Sequence, residues 1–345
     1  MAKYTSIGGQ ALIEGIMMRN PQKKTALAVR CPDKSINITY IKEKSIKDRH
    51  AVLRLPIIRG VVSYIESMVQ GYKAMMKSAD ISGFTELEEE SGAKQGTAAP
   101  ENVSAEQEVA SESKEENAQD SKKESVLTGG VMTVGTVLGV ALAIVLFMWL
   151  PSLAFKGISY LVGSDLKYWK GLIEGVIKII IFIGYLALVT MEKDIKRVFM
   201  YHGAEHKTIF CYESGQPLTV ENVRGFKRFH PRCGTSFMFL MLVVGILISS
   251  VLVVILPDFI ISRNYIWVPI KILLLPLTCG IGYELIKLCG RHDNIITRII
   301  AAPGLWIQRL TTKEPDDGMI EIAIAALTEV IPEDGADELG CCAGK

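Results

Sequence analysis

The stretch TSFMFLMLVVGILISSVLVVIL, residues 235–256, contains no charged side chain. It is long enough to cross a bilayer as a helix, which takes roughly 20 residues. Three further apolar runs accompany it, at about 126–150, 172–190 and 265–286. In a helix each run satisfies its own backbone hydrogen bonds, as a hydrocarbon surround demands. The expected fold is an α-helical membrane protein with four transmembrane helices over 126–290, joined to a small cytosolic α+β region at the N-terminus.

Working outward, composition agrees. Hydrophobic residues make up 49% of the 345, mean hydropathy is +0.28, and the apolar residues concentrate after residue 125. A net charge of +1 without a basic stripe gives no reason to expect nucleic-acid binding. Seven cysteines at unrelated spacings do not form a disulfide framework and read as reduced thiols. Cys341 and Cys342 read as adventitious, because the terminal Cys-Ala-Gly-Lys is a poor prenylation match. Met1–Met18 lacks a basic segment followed by an unbroken apolar one, so no cleavable signal peptide is expected.

Loop charge sets orientation. Segment 191–234 carries Lys193, Lys196, Arg197, Lys207, Arg224, Lys227, Arg228 and Arg232, and Lys287, Arg291, Arg298, Arg309 and Lys313 follow the fourth run. The other two loops hold only Lys156, Lys167, Lys170 and Arg263. Both termini and the middle loop are therefore expected in the cytosol. Lys178 and Lys271, inside apolar runs, read as lysines near the outer helix ends that snorkel to the headgroups. Glu284 falls near the cytosolic end of the fourth run. The pairs Gly135/Gly139 and Gly171/Gly175 have the spacing that permits close helix packing.

Residues 1–82 read as a cytosolic hairpin plus an amphipathic helix. Thr25–Cys31 and Ser35–Ile41 are the strands, around a Pro32-Asp33-Lys34 turn. The helix opens at Pro56 and runs to about Lys77, with Ile58, Val61, Ile65, Met68, Tyr72 and Met75 along one face. Packing of that face on the hairpin or bundle is favoured over insertion into the lipid surface. Segment 83–125 is acidic and poor in apolar residues, so it is expected to be a disordered linker. Residues 291–345 form a cytosolic C-terminal segment.

The middle loop carries the chemistry. His202-Gly203-Ala204-Glu205-His206 puts two imidazoles four residues apart, where one helix face can present both to a single ion. Glu205 projects from the same general side as a candidate general base. The order His-x-x-Glu-His is that of the inverzincin metallopeptidases. Downstream, His230 and Cys233 add two good zinc ligands just before the third apolar run. The candidate ligands are thus His202, His206, His230 and Cys233, for zinc or another divalent transition metal. All four would close a structural site; three, with Glu205 as base, would leave a hydrolytic one. Arg291-His292-Asp293 is a weaker candidate for contacts supporting a ligand histidine. Glu14 and Arg19 could line a cleft, although turns explain them equally.

Three blocks carry a resemblance: Gly8-Gly9-Gln10-Ala11 with Glu14-Gly15 and Met17-Met18-Arg19; Tyr201 to Lys207; and His230 to Phe237. With Leu310 to Pro315, they resemble the YqhQ-like family of bacterial membrane proteins. That family is uncharacterised or described as predicted metal-dependent enzymes, so the resemblance implies a metal and a bacterial inner membrane, and no substrate. Two functions follow: a membrane-embedded, zinc-dependent hydrolase, or a non-enzymatic factor of a transport or protein-insertion complex whose metal staples the middle loop. The lipid bilayer is the expected partner, with a further membrane protein in the second case. A transporter ranks third, since the lysines are read at helix ends.

Overall fold

The computed structural model describes residues 4–22, 24–42, 51–84, 135–163, 166–231, 233–291, 294–333 and 338–339. The expected acidic linker lies outside them from residue 85 onward. Strands β1 (Tyr4–Thr5), β2 (Gly8–Leu12), β3 (Gly15–Arg19), β4 (Lys24–Arg30) and β5 (Ile36–Lys42) come first. They precede helices α1 (Ile58–Ile81), α2 (Gly135–Val162), α3 (Lys170–Val189) and α4 (Lys193–Glu213). Then follow α5 (Gly234–Ile255), α6 (Asn264–Leu273), α7 (Leu275–Arg291), α8 (Ile295–Thr311), α9 (Asp317–Thr328) and β6 (Glu338–Leu339).

The expected hairpin is the β4–β5 pair, with Arg30 opposite Ile36. It belongs to a four-stranded antiparallel sheet, β2-β3-β4-β5, while β1 pairs with β6. One face of the sheet places Leu12, Met17, Leu27 and Val29 against Ala74 of α1. On the other, Ile16, Met18, Ala26 and Ala28 meet Tyr201 and Ala204 of α4 and Ile320 and Ala323 of α9. The two central strands are thus covered on both sides, and Ile16, Met17 and Met18 are buried in succession. The expected "cytosolic segment" after 291 contributes a core helix of this domain, α9.

The face that α1 buries is not the expected apolar stripe. Gly60, Glu66, Gly71, Ala74, Ser78 and Ala79 are buried, whereas Ile65, Met68 and Tyr72 are exposed. Close approach explains this. A Cβ on Gly60 would lie 2.8 Å from Tyr283 Cβ of α7, and one on Gly71 would lie 2.3 Å from Gln10 Oε1. Small residues let α1 reach both the sheet and α7, and Arg59 clamps Glu284 through Nε–Oε1 (2.7 Å) and Nη2–Oε2 (2.5 Å).

Three helical stretches are long and apolar enough to cross a membrane: Gly135–Val162, Lys167–Val189 and Gly234–Ile255. A fourth candidate is the bent pair Asn264–Leu273 and Leu275–Cys289, broken by 42° where Pro276 removes a backbone donor. The first extends beyond the expected residue 150, with a π-helical turn at Val145–Trp149 just ahead of Pro151. Of the two glycine pairs, only Gly171/Gly175 is a packing contact. Added Cβ atoms would stand 2.6 Å from Ser250 Cα and Ile246 Cγ2 of α5, while Gly135 and Gly139 face nothing within 4 Å among the described residues. Lys271 does not snorkel: it is buried and paired with Glu174 of α3, a carboxylate not singled out from sequence.

Candidate metal centre

Helix α4 starts under the side chain of Glu192, which accepts from Lys193 N, and Asp194 suits the positive end of the helix dipole. Three turns later it presents His202, Glu205 and His206. Gly203 is required between them: a Cβ there would lie 2.0 Å from the Lys313 carbonyl oxygen. The chain leaving α8 crosses α4 at that point, and Lys313 N donates to Phe199 O at 2.8 Å. Lys207 is salt-bridged to Glu314, which also accepts from Arg228 Nη1 at 2.9 Å.

This crossing fixes the histidines. His202 Nδ1 is 2.8 Å from Thr311 O, and His206 Nδ1 is 2.6 Å from Arg228 O. A carbonyl oxygen only accepts, so each Nδ1 carries a hydrogen and each Nε2 is the ring atom left to face elsewhere. That elsewhere is Cys233, whose Sγ is 3.1 Å from His202 Nε2. Ligand atoms of His202, His206 and Cys233 all lie within 4.8 Å of one another. A tetrahedral zinc, with bonds of about 2.0–2.3 Å, separates nitrogen and sulfur ligands by roughly 3.5 Å. The three side chains therefore fit such an ion with small adjustments. Backbone carbonyls on both distal nitrogens are the supporting contacts that orient ligand histidines.

Cys233 is the N-cap of α5, where the helix dipole favours a thiolate. Burial would raise its pKa, but His202 and His206 outweigh burial and hold the thiol well below its ordinary range. Burial likewise works to lower His202, yet Cys233 beside it pushes the imidazole up to about 9. The pair shares a proton between two donor atoms, the position a cation would take. Glu205 is buried next to them. Burial pushes its carboxyl up against the pull of His202 and His206, and the Gly9 N–H reaches it from β2. Its Oε2 is buried without a hydrogen-bond partner among the described residues, and a Cβ on Gly9 would lie 2.9 Å from its Cδ.

The structure brings together His202, His206 and Cys233, with Glu205 alongside, and leaves His230 outside the triad. Its Nε2 faces Glu213 Oε2 at 3.7 Å, and its ring lies tilted against Phe210 (centroids 4.7 Å apart) and 5.6 Å from the ring of His206. Gln308 of α8 exchanges two 2.7 Å hydrogen bonds with the His230 backbone, which hold this loop against α8. His292 and Asp293 lie outside the described residues; Thr311 and Arg228 supply the supporting contacts instead. Glu14 and Arg19 are each tied to a named partner. Glu14, at φ 50° in the β2–β3 turn, takes a fork from Arg197 (2.5 and 2.6 Å) and the Tyr201 hydroxyl, while Arg19 donates to Gln70. Gly9, Gly203, Arg228 and Thr311 were not legible as site residues, because three act through the backbone and the fourth through an absent side chain.

The model of a family described as "Protein of unknown function (DUF1385)" matches residues 55–333. The chain is 30% identical over 333 residues to "Uncharacterized protein YqhQ" of Bacillus subtilis (strain 168), covering 94% of this chain and 92% of the relative. No solved structure matches it.

Proposed function

The chain belongs to the DUF1385 family, described as proteins of unknown function, and we propose that it is a membrane protein with a cytosol-facing centre for zinc or a similar divalent metal, working as a hydrolase at the membrane rim. The observation that carries this is the matched pair of Nδ1 contacts, His202 to Thr311 O and His206 to Arg228 O, which leave both Nε2 atoms beside Cys233. A bound ion would supply Lewis acidity at that point. Three ligands leave one tetrahedral position open, the arrangement of catalytic rather than structural zinc. Glu205, buried with an unpartnered oxygen, is the group that would take a proton from water as general base, and the Gly9 N–H would keep its other oxygen in place.

One observation favours a second reading, a non-enzymatic membrane factor. Cys233 caps a candidate span while His202 and His206 sit on a helix packed against the sheet, so an ion there ties the two parts together. Glu205 would then serve as the closing ligand. Absorption spectroscopy of cobalt-substituted protein separates the two: a spectrum sensitive to added small anions indicates an open position, and an inert four-ligand spectrum indicates a closed one. The cytosolic placement rests on loop charge, and the bacterial inner membrane on the resemblance to the family. Cysteine labelling should find residues 195–230 inside and 155–170 outside, and the reverse would move the centre to the other compartment.

A further inference from the structure

Away from the histidines, the four candidate spans enclose a cluster of charge. Glu174 of α3 accepts from Ser152 (2.6 Å) and Trp267 Nε1 (3.3 Å), and it is ion-paired to Lys271. Lys170 stands 3.9 Å from the same carboxylate and donates to Ile261 O. Lys170 and Lys271 also lie 5.3 and 5.0 Å from the Trp267 ring centroid. Lys178 is the third lysine, two turns along α3 and roughly 12 Å from its start at 1.5 Å per residue. It lies within electrostatic range of Lys271 and Glu174 but has no hydrogen-bond or ion-pair partner among the described residues.

Three ammonium groups therefore share one carboxylate in an apolar surround, where an unpaired charge is costly. The excess is positive, and it borders open space. A cavity of about 210 Å³ is lined by Lys178 and Lys271, with Ser249 and Thr278 as further polar groups and Phe147 and Leu242 among the apolar ones. From this cavity we infer a binding site for a phosphate-class anion, held by Lys178 with Lys271 behind it. One source is the headgroup of an acidic phospholipid drawn in from the leaflet toward the mid-span position of Lys178. The alternative source is free inorganic phosphate. The site shares no residue with the metal centre and stands or falls independently of it.

The test uses the full-length protein, purified in neutral detergent and titrated with phosphatidylglycerol, phosphatidylcholine or inorganic phosphate. Bound adducts are read by native mass spectrometry and stability by thermal unfolding. Wild type should bind phosphatidylglycerol in preference to phosphatidylcholine and melt higher with it. Lys178→Met should bind it roughly tenfold or more weakly, the loss of one charge-assisted contact, and Lys178→Arg should retain much of it. Without added lipid, Lys178→Met should melt no lower than wild type, because it removes an unpartnered charge. A Lys178-dependent shift with phosphate alone assigns the anion to the aqueous source. Equal phosphatidylglycerol binding by wild type and Lys178→Met, no anion preference, or a lower melting point of Lys178→Met without ligand each overturns the inference.

Discussion

His202 Nε2 and Cys233 Sγ lie 3.1 Å apart across 31 residues of sequence. His202 donates from Nδ1 to Thr311 O, so the proton shared between Nε2 and Sγ is the one a cation would displace. Two electron-pair donors meeting in this way, with His206 beside them, define a cation position more sharply than any spacing of letters in the sequence.

Ligand removal should separate the triad from its neighbour. His202→Ala, His206→Ala and Cys233→Ser should each lose the metal, and their melting points should no longer respond to a chelator. Wild type should be destabilised by the chelator, since an ion bound only to the native state adds about 4 kcal/mol at a thousandfold excess over Kd. His230→Ala should keep the metal, because its ring faces Glu213. Loss of metal in His230→Ala, measured by elemental analysis, would restore it as a ligand.

Glu205→Gln tests catalysis. Shape and metal content should be kept, and stability should not fall, because the change removes a buried carboxylate with an unpartnered oxygen. Loss of a general base costs roughly a hundred- to ten-thousandfold in rate. Complementation of a gene-deletion phenotype should therefore fail. Full complementation by Glu205→Gln alongside failure of the ligand variants would rule out the hydrolase, and loss of metal in Glu205→Gln would mark Glu205 as the closing ligand of the structural reading.

Gly203→Ala isolates the backbone crossing. Alanine in place of glycine within a helix gains about 1 kcal/mol. Here the new methyl would meet Lys313 O at 2.0 Å, and forcing the segment away should cost about 2 kcal/mol or more. The clash should win, lowering the melting point and weakening metal retention through the displaced Thr311 carbonyl.

The Glu14–Arg197 fork gives a pH prediction. Burial works to raise the Glu14 carboxyl, but Arg197 and the Tyr201 hydroxyl hold it below its ordinary value. A lowered carboxyl contributes stability above its unfolded pKa and loses it as pH falls through the folded one. Arg197 is half exposed, so a double-mutant cycle should give about 1 kcal/mol or less at neutral pH. The coupling should vanish in acid, below the ordinary carboxylate range; a coupling unchanged there would mean the contact is not ionic.

The candidate spans were legible because a helix able to cross a membrane needs an unbroken apolar run. The β4–β5 hairpin was legible because Pro32 and Asp33 punctuate it. The β2–β3 pair was not: both faces of its sheet are covered, so Ile16, Met17 and Met18 show no alternation. The stripe on α1 misled because its buried side is made of Gly60, Gly71 and Ala74, which permit close packing and carry little hydropathy. At the centre, the i, i+4 spacing of His202 and His206 and the nearness of Cys233 to a span were readable. His230 shares the Cys233 motif, and its ring contacts with Glu213 and Phe210 come from α4 residues that the spacing does not single out. Thr311 and Arg228 act through carbonyls, which every residue has.

The most direct test is metal content and the cobalt spectrum of the full-length protein, purified without chelators. The account predicts one equivalent of a divalent metal, with zinc foremost. After exchange it predicts a sulfur-to-cobalt charge-transfer band that disappears in Cys233→Ser. Protein that is folded yet retains no metal, takes up no cobalt and shows no such band would contradict it.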